Sequence, residues 1–311
     1  MKRRFGIGAA VLVAASSMAV AQAANDYRLG AQAVAEGVYV FSGRNEHFTR
    51  DNGGNIVNTG FIVGTDAVIV IDTGPSLQYG EQQRKAIAAI TRVPVRQVYV
   101  THQHPDHYLG DAAYADASIA ALPATISAIQ TQGNALADNL YRLVGGWMAG
   151  TQSQSPTSTA QPGAVEIGGR KLRLIGTAGH TAGDLMVYDE ASRTLFAGDL
   201  VFHDRAPTTP NADLLQWLNA LDQIRQIDFK VLVPGHGAVV RDASAIEQTR
   251  DYLQWLSTSL HTAAEQGRDM VEVMNQPLPE RFQKLAVHDE EYRRSVSHLY
   301  PAIELTTLPR R

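Results

Sequence analysis

The stretch Thr101-His102-Gln103-His104-Pro105-Asp106-His107 places four side chains of metal-ligating type between positions 102 and 107. In an extended segment alternate side chains point the same way, so His102 and His104 can converge on one ion while Asp106 and His107 turn toward a neighbouring position. One loop can therefore feed two metals. Chance clustering in a polar loop accounts for a lone His-x-His far better than for four such residues together.

The residues before this run place it at the end of a strand. Gly37 to Phe41 reads as a strand, and Ile56 to Val63 with Ala67 to Ile71 reads as a hairpin through Gly64-Thr65-Asp66 that ends in Asp72-Thr73-Gly74. Tyr79 to Thr91 carries Ala and Ile at helical spacing, and Val95 to Val100 is β-rich. The histidine run follows directly and has no helical repeat of its own, so it is expected in a loop at the C-terminal end of that strand. Open α/β sheets commonly carry their chemistry there.

The second half repeats the strand-heavy theme in Ala164 to Ile167, Lys171 to Ile175, Leu185 to Tyr188, Thr194 to Ala197 and Val231 to Val233. Helices are expected over Pro123 to Met148, interrupted at Gly133, and over Asp213 to Ile227 and Ala243 to Gln266. Gly150 to Gly163 reads as a surface loop, and the tail beyond Gly267 is weakly patterned. Strands plus helices in each half suit two sheets packed face to face with helices outside.

Three further strand-end loops each set a ligand-type residue beside glycine: His180 in Gly179-His180-Thr181, Asp199 in Gly198-Asp199, and His236 in Gly235-His236-Gly237. Glycine lets backbone crowd around an ion. The chain has no cysteine, which excludes thiolate ligands, disulfides, lipid attachment and a cysteine nucleophile. A histidine-rich site without thiolate makes zinc the first choice, with iron and manganese as alternatives.

Taken together, the run from Thr101 to His107, the later His, Gly-Asp and Gly-His motifs, and Asp72-Thr73-Gly74 resemble the metallo-β-lactamase superfamily in unbroken order from Asn58 to His236. The resemblance implies an α/β fold, an αββα sandwich of two mixed sheets. It also implies that His102, His104 and His180 hold one metal, that Asp106, His107 and His236 hold the other, that Asp199 bridges them, and that Asp72 fixes the ligand loop from behind. Asp72 reads equally well as a turn residue closing a strand.

The chain opens with Lys2-Arg3-Arg4, an apolar run from Phe5 to Val20 and Ala21-Gln22-Ala23, the layout of a signal peptide cleaved near Ala23. The apolar run is short for a bilayer span, and Arg3-Arg4 leaves the Sec and twin-arginine routes both open. Residues 24–311 then form one domain with a C-terminal helical tail, in the periplasm or secreted. Cleavage takes three of the 27 basic residues and none of the 31 acidic ones, moving the formal charge from −4 to −7 and arguing against a nucleic-acid partner.

A carboxylate-bridged metal pair lowers the pKa of a trapped water and polarises a carbonyl or phosphoryl oxygen, so hydrolysis by a metal-bound hydroxide is the expected reaction, with Asp106 as the catalytic residue that orients it. Asp199 stands where secreted lactamases of this fold commonly have Cys or Ser, which turns the resemblance toward glyoxalase II and its relatives. The leader, and the absence of a clear glutathione-binding pattern after His236, argue against glyoxalase II itself. The stretch Asp51 to Phe61, together with the leader, is similar to exported quinoprotein relay system zinc metallohydrolases. That resemblance implies a zinc enzyme, with two zincs per chain expected, and a possible periplasmic quinoprotein dehydrogenase partner; it names no substrate, and the expected one is a small molecule with an ester, thioester or related bond.

Three other readings stay open: a class B-type β-lactamase, a non-catalytic metal-binding accessory protein, and an iron-dependent sulfur oxygenase. Substrate contacts are expected from the loops Asn45 to Asn55 and Gly150 to Gly163. Of the histidines outside the motifs, His47 and His203 are the better candidates to line the site, ahead of His261, His288 and His298.

Overall fold

The computed structural model describes residues 25–307. The expected leader, residues 1–23, lies outside the described residues. Among the described residues no helix is long and apolar enough to cross a membrane.

The first half runs β1 (Gln32–Ala35), β2 (Val38–Phe41), β3 (Thr59–Val63), β4 (Val68–Ile71), α1 (Leu77–Ile90), β5 (Val95–Tyr99), the single turn α2 (Pro105–Tyr108), β6 (Ser118–Ala121), α3 (Pro123–Val144) and β7 (Ser158–Thr159). The second half runs β8 (Gly163–Ile167), β9 (Arg170–Thr177), β10 (Asp184–Asp189), β11 (Thr194–Phe202), α4 (Leu214–Ile224), β12 (Val231–His236), α5 (Ser244–Glu265), α6 (Met270–Met274) and α7 (His288–Thr307).

Strands β1 to β7 form one sheet in chain order, antiparallel as far as β4 and parallel from β4 onward. The second sheet has the order β12-β11-β10-β9-β8, with only the β11–β12 pair parallel. Both sheets are thus mixed. Sequence period explains how they stack. In β4, Ile69 and Ile71 join a core that includes Leu172, Leu185, Val187 and Phe196 of the second sheet, while Val68 and Val70 join a separate cluster with Ile87 of α1 and Leu140 of α3. Alternate residues face opposite sides of a strand, so a fully apolar β4 is one covered on both faces. In β11 the same division puts Phe196 between the sheets and Leu195 and Ala197 among Trp217, Leu253 and Tyr292 of the outer helices. The result is the four-layer αββα sandwich expected from the sequence.

Three local expectations need correction. Gly133 does not interrupt α3, which continues through it. A Cβ there would lie 2.1 Å from Ser153 Oγ and 2.8 Å from Tyr108 Oη, so the glycine serves a close approach, not a break. The histidine run is not loop throughout, because Pro105 occupies the first position of a helical turn, where its missing N–H costs nothing. Asp199, expected in a loop after a strand ending at Ala197, lies inside β11, which runs on to Phe202. In the tail beyond Gly267, Tyr292, Val296 and Tyr300 of α7 are buried against α5.

Candidate metal centre

The ligand-type residues arrive from four strand ends and from inside a fifth strand. Asp72 follows β4, and the run from His102 to His107 follows β5. His180 lies between β9 and β10, Asp199 sits within β11 where its pairing register to β12 shifts, and His236 ends β12. Such an irregularity re-aims a side chain that a regular ladder would send to one face. All of them are buried, none more than 9% exposed.

They converge in two groups, His102 with His104, His180 and Asp199, and Asp106 with His107 and His236. Asp199 links them: Oδ2 lies 3.3 Å from His180 Nε2 and 3.7 Å from His102 Nε2, while Oδ1 lies 3.2 Å from His107 Nε2. Asp199 Oδ2 is also 3.2 Å from His236 Nε2, and Asp106 Oδ2 is 3.5 Å from the same atom. Room for the bridging carboxylate comes from Gly235, where a Cβ would lie 1.9 Å from Asp199 Oδ1.

The outer atom of each ring reveals which nitrogen faces inward. His107 Nδ1 donates to Asp72 Oδ2 at 2.7 Å and His236 Nδ1 donates to the Ile56 carbonyl at 2.7 Å. Thr101 Oγ1 gives its proton to Asp72 Oδ2, so it accepts from His102 Nδ1 at 3.1 Å. His104 is reversed: its Nε2 donates to Asn211 Oδ1 at 2.9 Å, which leaves Nδ1 facing the centre. The outward hydrogen bonds fix the tautomers and leave lone pairs pointing inward.

Those lone pairs make the case for cations. His104 Nδ1 lies 3.1 Å from His102 Nε2 and 2.9 Å from His180 Nε2. His102 Nε2 and His104 Nδ1, both left unprotonated by their outward bonds, repel one another at that distance unless a cation lies between them; His180, whose Nδ1 has no partner, is not fixed in this way. Around a tetrahedral zinc with Zn–N of about 2.0–2.1 Å, ligand nitrogens are separated by roughly 3.3 Å, close to what is seen. His107 Nε2 and Asp199 Oδ1 are buried without hydrogen-bond partners, as expected of atoms reserved for a metal. The residues present fit a pair of metal ions.

The electrostatics agree. Burial holds His102 and His180 well below the usual imidazole range and His104 below it, keeping them in the neutral form that ligates. Burial works the same way on His107, but the carboxylates of Asp199, Asp72 and Asp106 outweigh it and hold His107 well above that range. Burial would raise Asp199, yet His236, His107 and His102 hold it well below the carboxylate range. The cluster calls for positive charge at its centre.

A cavity of about 270 Å³ opens beside the two groups and is lined by His104, Asp106, Asp199 and His236. His47 and Phe48 reach it from the long loop before β3, Leu136 from α3, Arg205 and Asn211 from the segment after β11, and Glu291, Arg294 and His298 from α7. His203, expected as a candidate, is not among the lining residues; its Nδ1 pairs with the Ala238 carbonyl at 3.0 Å. The Gly150 to Gly163 loop contributes no lining residue either, because Ser153 packs against Tyr108 and the segment ends in β7. Sequence reasoning overlooked Asn211, Arg205, Glu291 and Arg294, and ranked His298 of α7 below His203. None of them lies in a motif, and a polar helix face turned toward a cavity reads in sequence like one turned toward solvent.

The sequence profile of the metallo-beta-lactamase superfamily matches residues 52–236, well over half of the chain. The chain belongs to that superfamily. Among curated relatives it is 24% identical over 196 residues to the beta-lactamase-like protein 2 homolog of Caenorhabditis elegans, covering 62% of this chain and 60% of that protein. It is 22% identical over 285 residues to the linear primary-alkylsulfatase of a Pseudomonas species, covering 76% of this chain and 53% of that one. An acyl-coenzyme A thioesterase of Homo sapiens is 29% identical over 185 residues, 53% of this chain and 62% of the human protein. The chain thus spans about half to three fifths of the length of these superfamily members. Among solved structures, the metallo-beta-lactamase from Pontibacter korlensis superposes with a TM-score of 0.57 at 26% identity, covering 73% of this chain and 99% of that one.

Proposed function

We propose that this superfamily member is a metal-dependent hydrolase that carries two zinc ions and cleaves an ester or thioester of a small acyl compound in the periplasm. The observation that carries the reading is Asp199, whose carboxylate lies between the two ligand groups, with Oδ2 3.3 Å from His180 Nε2 and 3.2 Å from His236 Nε2, and Oδ1 3.2 Å from His107 Nε2. When bound, divalent ions there would supply Lewis acidity, lowering the pKa of water in the site and polarising the acyl oxygen. The chain's own residues do the rest. Asp72, Asn211 and the Ile56 carbonyl hold the imidazoles in register. Asp106 borders the cavity and accepts a hydrogen bond from the attacking water, which orients it. The water oxygen forms the new bond to the acyl carbon, the C–S or C–O bond breaks, and the leaving group departs with a proton.

The names of relatives favour acyl chemistry. They include the human acyl-coenzyme A thioesterase and an atrochrysone carboxyl ACP thioesterase of Aspergillus fumigatus. The finer resemblance to exported quinoprotein relay hydrolases rests on Asp51 to Phe61 and on the leader, and a quinoprotein dehydrogenase system as partner belongs to the same proposal. Lactam opening is a second reading, favoured by the Pontibacter korlensis superposition. Asp199, in place of Cys or Ser, counts against it.

The test is a panel of thioesters, esters, lactones, phosphoesters and lactams offered to the zinc-loaded protein. Thioester or ester turnover that disappears with chelator and returns with zinc supports the proposal. A protein holding both zincs that cleaves none of them contradicts it.

A further inference from the structure

Helix α7 lies beyond the residues matched by the superfamily profile, yet it supplies part of the cavity wall. Glu291, Arg294 and His298 are spaced i, i+3, i+7 along it, one face of a helix, and all three line the cavity. Glu291 is fully buried and neither of its carboxylate oxygens makes a hydrogen bond.

Two guanidinium groups share that one acid. Arg205 Nη2 lies 3.5 Å and Arg294 Nη1 3.7 Å from Glu291 Oε1, too far for good hydrogen bonds. Arg205 is 3% exposed and its Nε has no partner. Its Nη1 lies 3.1 Å from His236 Nδ1, but that nitrogen already donates to the Ile56 carbonyl, so Nη1 meets a second donor there and not an acceptor. His47 Nδ1 is 3.8 Å from Glu291 Oε1 and its Nε2 is 3.8 Å from Glu290, whose side chain is largely in solvent. Burial lowers His47, which therefore adds no fixed charge near neutrality.

The balance on this wall is two guanidinium charges against one buried carboxylate, with donors left over. A buried cation with unfilled donors is costly unless a ligand brings acceptors. The surplus of one positive charge suits a monoanion, and a guanidinium takes a carboxylate through two parallel N–H···O bonds. Phe48, Leu136 and Pro210 add apolar surface to the same cavity, beside the neutral polar side chains of Gln132 and Asn139.

Resting on the acyl-hydrolase reading above, we propose that this cluster is a specificity subsite: the substrate is a short acyl compound ending in a carboxylate, held by Arg205 and Arg294. Glu291 is a positioning residue that keeps both guanidinium groups turned to the cavity.

Binding of glutarate and of pentanoate to the zinc-loaded full chain tests this. The two have the same carbon number and one carboxylate each for the metal centre, but only glutarate has a second for the arginines. Glutarate is expected to bind about tenfold tighter in the wild type. Arg294→Ala should erase that ratio, Arg294→Lys should keep part of it, and Glu291→Gln should narrow it. Equal affinities in the wild type, or a ratio unchanged in Arg294→Ala, would overturn the proposal. Arg294 is half-exposed, so its variants carry the test even if Glu291→Gln fails to fold. Failure of both glutaryl and pentanoyl thioesters to turn over would count against the hydrolase reading alone, since the binding ratio does not depend on turnover.

Discussion

The carboxylate of Asp72 lies 2.7 Å from His107 Nδ1 through Oδ2, while its Oδ1 accepts the backbone N–H of Thr101 at 2.8 Å. One buried acid thereby grips both ends of the ligand run. It does so from a left-handed backbone conformation, φ 58°, which Asp and Asn tolerate better than most residues. Asp72→Asn keeps that backbone but, whichever way the amide turns, sets its NH2 against a donor: the Thr101 N–H on one side, or His107 Nδ1 and the Thr101 hydroxyl on the other. We expect roughly 10- to 100-fold weaker binding of the second metal, measured by competition with a chromophoric chelator. Unchanged affinity for both ions would remove Asp72 from the support of the site.

Gly235→Ala should be far worse than an ordinary surface substitution, although the backbone there is not in a region reserved for glycine. The added methyl would meet Asp199 Oδ1 at 1.9 Å, so either the carboxylate or β12 must move. A stability loss of about 1–3 kcal/mol and loss of at least one metal per chain are expected. Thermal melting and elemental analysis read the two effects separately.

Much of this was legible beforehand for a definite reason. The candidate metal ligands in Thr101 to His107, Gly179-His180 and Gly235-His236 sit at strand ends and Asp199 inside a strand, and the strands announce themselves by apolar runs such as Val68 to Ile71. Where apolar period fails, so does reading. Strand β6, Ser-Ile-Ala-Ala, has two alanines, which favour helix, and only its place beside β5 makes it a strand. Helix α7 contains Pro301 and turns Glu291, Arg294 and His298 toward the cavity, so its functional face carries no hydrophobic signature. The sequence likewise gave no sign that Asn211 would meet His104, a contact 107 residues apart.

Asp106→Asn addresses the reaction itself. The amide keeps the size of the side chain and one acceptor oxygen, but it replaces the other oxygen by an N–H donor and removes the negative charge. Turnover of a thioester should fall about 10²- to 10⁴-fold, compared at equal zinc content because Asp106 also belongs to the second ligand group. Full turnover in a variant shown to hold both ions would contradict the role given to Asp106.

Asp111 offers a pH signature away from the metals. Burial raises its carboxyl well above the usual range, against the opposing hydrogen bond from Thr73 Oγ1 at 2.7 Å. A carboxyl raised on folding binds its proton more tightly in the folded state. Its contribution is therefore fully present below the unfolded pKa of about 3.9 and is lost as pH rises through the folded value. The difference in stability between wild type and Asp111→Asn should shift with pH in the wild type's disfavour across that window. Denaturant titrations at several pH values check this, and a constant difference would contradict it.

The central claim is that Asp199 joins two metal positions built from five histidines and Asp106. Elemental analysis of the purified wild type and of Asp199→Ala, each loaded with zinc and freed of excess, tests it most directly. The account predicts about two zinc ions per chain in the wild type and no more than one in the variant. A wild type that holds only one ion, or a variant that still holds two, would contradict it.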